Sequence, residues 1–159
     1  MGRSIAYPTL HSMQHPRRPV ELLVIENNPA AAQLTRDALS HCDMVTHVTI
    51  AVGGVQAMQV LREETPGHGR RRKPDAILLS LSDTCCDGHD LLQKIKADEN
   101  LRRIPVLVLG GSDAAGDVPE VYSAHANCYI RKPADPEQLV DVVRVIERFW
   151  FRIVTLPTR

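Results

Sequence analysis

"PDAILLSLSD", residues 74–83, decides how the rest of the chain is read. From Ala76 to Leu81 the residues are apolar except at Ser80, with no alternation. A run this short and this continuous fits a strand buried on both faces, as in a parallel sheet covered by helices, better than a helix. Ser82 and Asp83 then break the run, which places Ser80 at the carboxyl end of the strand.

Similar runs recur on either side: "VELLVIE" (20–26), "VTHVTIA" (45–51), "IPVLVLGG" (104–111) and "NCYI" (127–130). Helical signals lie between them. Asn28 before Pro29 reads as the cap of a helix running to about His41. Val55, Met58 and Leu61 have helical spacing, as do Leu91, Leu92 and Ile95, and a further helix is expected near residues 117–124. "DPEQL" starts the last helix, with Asp135 as cap, Pro136 at the first position and Gln138 reaching back as in a capping box. Its residues Leu139, Val142, Val143 and Ile146 form one apolar stripe.

Five strands alternating with five helices predict an α/β doubly wound domain with a five-stranded parallel sheet. The working site of such a sheet lies beyond the carboxyl ends of its strands. The residues to consider are therefore Glu26 and Asn27, Ser80 to Asp87, Gly110 to Ser112, and Lys132 with Pro133.

The whole composition fits one domain: 159 residues, 43% apolar and 24% charged, with 19 basic residues against 19 acidic. Zero net charge gives no reason to expect a nucleic-acid partner. No apolar run reaches membrane-spanning length and no signal peptide opens the chain, so a cytoplasmic protein is expected. Cys42, Cys85, Cys86 and Cys128 form no disulfide framework and no paired zinc spacing. Residues 1–18 read as a flexible leader, 19–148 as the domain and 149–159 as an aromatic tail. "TPGHGRRRK" (65–73) reads as a loop whose basic residues are a solvated turn rather than an interaction patch.

At the strand ends the chain resembles a bacterial response-regulator receiver domain, of the single-domain kind that works with phytochrome-type histidine kinases. The resemblance rests on "LLVIENNPAAAQLTRDAL", "PDAILLSLSDTCCDGHDLLQKIKADENLRRIPVLVL", "SDAAGDV", "ANCYIRKPADPEQLVDVVRVIERFW" and "IVTLP", in order. It implies a flavodoxin-like (βα)5 fold and a phosphorelay function in two-component signalling. The family's acidic pair falls on Glu26 and Asn27, its phosphoacceptor aspartate on Ser80, and its strand-four hydroxyl residue on Gly110. The lysine falls on Lys132, before Pro133, and the switch aromatic on Tyr129. The frame, the lysine, the aromatic and one acid match, whereas the acceptor, the second acid and the hydroxyl do not.

These departures change the expected chemistry. A carboxylate accepts a phosphoryl group without a base, whereas a serine hydroxyl needs a neighbour to take its proton. Mg²⁺ is an oxygen-seeking ion that favours carboxylates, and only Glu26 remains of three. Glu26 and Lys132 sum to zero charge, so a pocket with no metal and no catalytic residue is expected, Lys132 pairing with Glu26 or Ser80. Without a hydroxyl at Gly110, the step that draws strand four and Tyr129 into the active arrangement has lost its handle. The expectation is a pseudo-receiver that acts by binding and is not an enzyme. Its partner would be a histidine kinase, a bacteriophytochrome being the candidate, or another signalling protein.

Two alternatives stand beside it. One is active phosphotransfer through an unorthodox acceptor, with Asp83 supplying charge. The other is a thiol or metal sensor through Cys85, Cys86 and His89, although adjacent cysteines and a nearby histidine are not a standard ligand spacing. No DNA-recognition module is expected after residue 148. The only Phe residues and the only Trp are consecutive, Phe149, Trp150 and Phe151, placed past the last helix in a segment, "FWFRIVTLP", that ends in a strand-like run. Such aromatics are costly in water, so a homodimer contact through them is expected, with folding back onto the domain as the alternative.

Overall fold

The computed structural model describes residues 19–41, 46–62, 73–81, 87–111 and 117–157. Five strands, β1 (Val20–Ile25), β2 (Thr46–Ala51), β3 (Ala76–Ser80), β4 (Val106–Gly110) and β5 (Cys128–Arg131), form one parallel sheet in the order β2-β1-β3-β4-β5. Between and after them lie α1 (Pro29–Ser40), α2 (Gly53–Arg62), α3 (Asp87–Ala97), α4 (Asp117–Ser123) and α5 (Pro136–Ile146). The expected doubly wound α/β architecture is the observed one.

The continuous apolar strands divide their side chains between two cores, since successive residues of a strand point to opposite faces. Leu23, Ile25, Ile77, Leu79, Val106 and Val108 pack with α2, α3 and α4. Val20, Leu22, Val24, Leu78, Leu107 and Leu109 pack with α1 and α5. Each helix therefore needs one apolar stripe, and the strands need apolar residues at nearly every position. At the amino-terminal edge, the Glu21 amide donates to Asp75 Oδ2 at 2.8 Å and the Asp75 amide to the Glu21 carbonyl at 2.7 Å, which fixes how β1 and β3 enter the sheet.

The caps follow the sequence in part. Asn28 Oδ1 accepts from the amides of Ala30 and Ala31, and Pro29 opens α1. Asp135 accepts from the Glu137 amide with Pro136 next to it, but Gln138 is exposed and no capping box forms among the described residues. In α2 two of the three expected residues face the core, Leu61 buried and Met58 packed against it, whereas Val55 does not. Gly54 packs on Leu91, Ala57 and Leu61 are buried, and Val55 is 78% exposed.

The aromatic segment also departs from expectation. The aromatics lie within a helix and not past it: α5 continues into a π-helical segment, Glu147–Ile153, before the chain extends from Val154. A π-helix repeats its contacts at i and i+5. Accordingly Arg152 Nε donates to Glu147 Oε1 at 3.2 Å, and the Val154 amide to the Phe149 carbonyl at 2.9 Å. The β-forming aromatics are overruled by burial, because Phe151 enters the α1/α5 core at 1% exposure. Trp150 lies partly buried against that core and meets Phe149 edge to face, with centroids 5.9 Å apart. Phe151 therefore folds back onto its own domain, and the half-exposed Phe149 remains as the aromatic turned to solvent.

Candidate functional site

The strand order brings Glu26, Ser80, Gly110 and Lys132 to one end of the sheet. Glu26 follows β1, Ser80 ends β3, Gly110 ends β4 and Lys132 follows β5. Parallel pairing sets their mutual height: Ser80 registers with Leu109 and Gly110 with Arg131, while the Lys132 amide donates to the Gly110 carbonyl at 2.7 Å.

Three of these side chains form a closed network. Lys132 Nζ donates to Glu26 Oε2 at 2.6 Å and to Ser80 Oγ at 2.9 Å. The other Glu26 oxygen, Oε1, accepts from the Asn28 amide at 2.9 Å. Burial pushes the Glu26 carboxyl up. Hydrogen bonds from Lys132, the Ser80 hydroxyl and the Asn28 amide, with the nearby lysine charge, outweigh it and hold the group below its usual 4.5. Glu26 is thus a committed anion with both oxygens in use, and charge and hydrogen bonding are balanced without a ligand.

Asn27, the second position of the pair, is exposed. A Cβ added to Gly53 would lie 3.7 Å from Asn27 Oδ1, and Gly53 has φ +80°, a left-handed value suited to glycine. Among the described residues the one carboxylate of the trio is already paired, beside a neutral amide and a hydroxyl, and no group of three or more His, Cys, Asp or Glu is placed to hold a metal.

Tyr129 is brought to the same end from β5. Its hydroxyl donates to the Gly111 carbonyl at 3.0 Å, and its amide to the Tyr122 hydroxyl of α4 at 3.3 Å. Asp83, Cys42, Cys85, Cys86, Ser112 and most of the basic loop lie outside the described residues. His89, from the thiol-rich segment, has Nδ1 3.8 Å from Glu120 Oε2. Cys128 is half-buried on β5, and burial raises its thiol to about 11 despite a hydrogen bond with Trp150, which makes it a poor thiolate.

Sequence reading missed a second network at the opposite end of the sheet. Lys96 Nζ donates to the carbonyls of Ile104 (2.9 Å) and Arg102 (3.2 Å) and to Asn127 Oδ1 (3.2 Å). Asn127 Oδ1 also accepts from the Val106 amide at 2.9 Å. "KADENLRRIPV" and "NCYI" carry these residues, and their polar members, set against apolar strands, were the available signal.

The chain matches the response regulator receiver domain over residues 22–144, and it belongs to that family. It is similar to response regulator Rcp1 of Synechocystis sp., with 34% identity over 139 residues, spanning 87% of this chain and 94% of that protein. It is also similar to the probable methanogenesis regulatory protein FilR2 of Methanothrix harundinacea, at 35% over 132 residues, 83% of this chain and 84% of FilR2. Among solved structures, the phosphorylated cyanobacterial phytochrome response regulator RcpA superposes with a TM-score of 0.80 at 37% identity, covering 89% of this chain and all of that one. The Mn²⁺-bound form of Rcp1 gives 0.79 at 34%, covering 88% of this chain and all of that one.

Proposed function

We propose that this receiver domain is a pseudo-receiver: it keeps the fold, takes no phosphoryl group at Ser80, and signals by being bound. The observation that carries this reading is the Glu26–Lys132–Ser80 network. The lysine that would meet a phosphoryl oxygen is held by a carboxylate and a hydroxyl. An ammonium donates hydrogen bonds and cannot take the Ser80 proton, and Glu26, which the hydroxyl also meets, is paired with Lys132 and held below its usual value, which makes it a weak base for a hydroxyl.

The relatives sharpen the contrast. The solved forms of Rcp1 and RcpA are Mn²⁺-bound and phosphorylated, respectively. In this chain we assign no resident metal, because the balanced pair removes the negative charge a divalent ion needs. The partner we assign is a histidine kinase, a bacteriophytochrome in view of the likeness to the bacteriophytochrome response regulator AtBRR at 29% identity and TM-score 0.63. Homodimerisation, the absence of a nucleic-acid partner and a cytoplasmic location belong to the same proposal. Among the described residues no helix is long and apolar enough to cross a membrane, which is consistent with that location.

The test is titration with Mg²⁺ and beryllofluoride, followed by amide NMR and Trp150 fluorescence. No saturable change at the ends of β1, β3 and β5 is expected. Saturable binding there would overturn the pseudo-receiver reading.

A further inference from the structure

Gly110 is a glycine for a reason its own backbone does not supply. Among the described glycines only Gly53 has a left-handed φ, so Gly110 stands where any residue could sit by conformation alone. The obstacle is a neighbour. A Cβ built on Gly110 would lie 2.6 Å from Tyr129 Cε2, and nearer still to the ring carbon bearing the hydroxyl and to the hydroxyl itself. Carbon atoms in contact sit at about 3.5–4.0 Å, so a side chain at 110 and the Tyr129 ring compete for one volume.

The ring has been drawn into that volume and fastened there. Its hydroxyl donates to Gly111, the residue after the glycine, and its body packs partly buried on the core shared by α2, α3 and α4. The backbone is tied on both sides, since the Tyr129 amide reaches Tyr122 on α4 and the Lys132 amide reaches the Gly110 carbonyl. One glycine thus meets the pocket through its carbonyl and the aromatic through its bare α-carbon.

We propose that Gly110 is the positioning residue for Tyr129: by omitting a side chain it creates the inner seat, so the orientation of this aromatic is set by the sequence and not by an event at the pocket. Loss of the strand-four hydroxyl alone predicts that the handle drawing β4 and Tyr129 into the active arrangement is gone. The geometry reverses that consequence, because the space left by the missing side chain is filled by the tyrosine. The α4–β5 surface is then presented in one fixed form whatever happens at Ser80. This inference concerns the β4–β5 contact and stands whether or not the pocket takes a phosphoryl group.

The experiment labels the full chain with 3-fluorotyrosine and assigns Tyr129 by its loss in Tyr129→Phe, with the half-exposed Tyr122 as internal reference. Tyr129 should give one fluorine resonance, less broadened than that of Tyr122 by a soluble paramagnetic agent, and unmoved by Mg²⁺ with beryllofluoride. Gly110→Ala should expel the ring, so that its resonance shifts and gains the broadening of an exposed tyrosine. A Tyr129 resonance that in the unsubstituted protein is as broadened as that of Tyr122, or moves with beryllofluoride, overturns the proposal even if the variant does not fold. An unchanged Tyr129 resonance in a folded Gly110→Ala protein overturns it too. Beryllofluoride shifts in the strand-end amides with Tyr129 unmoved would defeat the pseudo-receiver reading and support the seat.

Discussion

Glu26 concentrates the energetics of the strand-end site in one buried carboxylate. Replacing it by Gln keeps the shape but leaves the Lys132 charge, itself largely enclosed, without its counter-ion. A cost of about 2 kcal/mol is expected in urea unfolding, below the full penalty of a deeply buried broken pair because Lys132 retains some solvent contact. The same carboxylate gives a pH dependence of known sign. Its value is lowered in the folded state, so the fold binds fewer protons there than the unfolded chain. Its contribution is fully present above 4.5 and is lost as the pH falls through the lower folded value, and denaturant midpoints should drop accordingly. Glu26→Gln should flatten that part of the profile. Ser80→Asp is the matching test of chemistry: with Asn27 and Gly110 unchanged, the single variant should incorporate no label from acetyl phosphate, and label uptake would count against the pseudo-receiver.

Among the elements, the last helix is the one whose sequence and structure disagree most. Aromatic and β-branched residues from Phe149 to Val154 favour a strand by propensity, but propensity is a weak preference next to burial of a large side chain. The widened π turn brings Phe151 into the core and pairs Glu147 with Arg152. Phe151→Ala is therefore expected to cost about 3–5 kcal/mol in chemical denaturation, as for other buried aromatics. Val55→Ala should stay within about 0.5 kcal/mol, because the side chain lies in water. Helix α1 has the opposite character, legible from three letters: "NNP" supplies a cap and a first-turn proline, both of which the fold uses. Asn28→Ala should cost about 1 kcal/mol and also alter the loop carrying the amide that bonds Glu26.

Across the whole molecule, the proposed dimer contact has to be moved. Phe151 is enclosed within its own chain and cannot form a surface, whereas Val145, Phe149 and Ile153 are exposed four residues apart. Truncation after Arg148 would remove Phe151 from the core along with any contact surface. The cleaner experiment is Phe149→Asp, expected to leave the unfolding midpoint nearly unchanged while reducing the mass measured by light scattering from dimer to monomer. An unchanged mass would remove this face from the dimer proposal.

The sequence by itself determined the parallel doubly wound sheet, since strands apolar at nearly every position are stable only when covered on both faces. It also determined which residues gather at the strand ends, because a parallel sheet brings all its carboxyl termini to one edge. The absence of an acceptor carboxylate at Ser80 was legible there too. Only the tertiary structure decided where side chains compete for space. Ala57 took a place in the core while Val55 stayed in water, Phe151 drew the tail into a π-helical segment, and Tyr129 took the volume that Gly110 leaves open. Those outcomes depend on contacts between residues distant in the chain, and packing of that kind has no period or motif that a linear reading can follow.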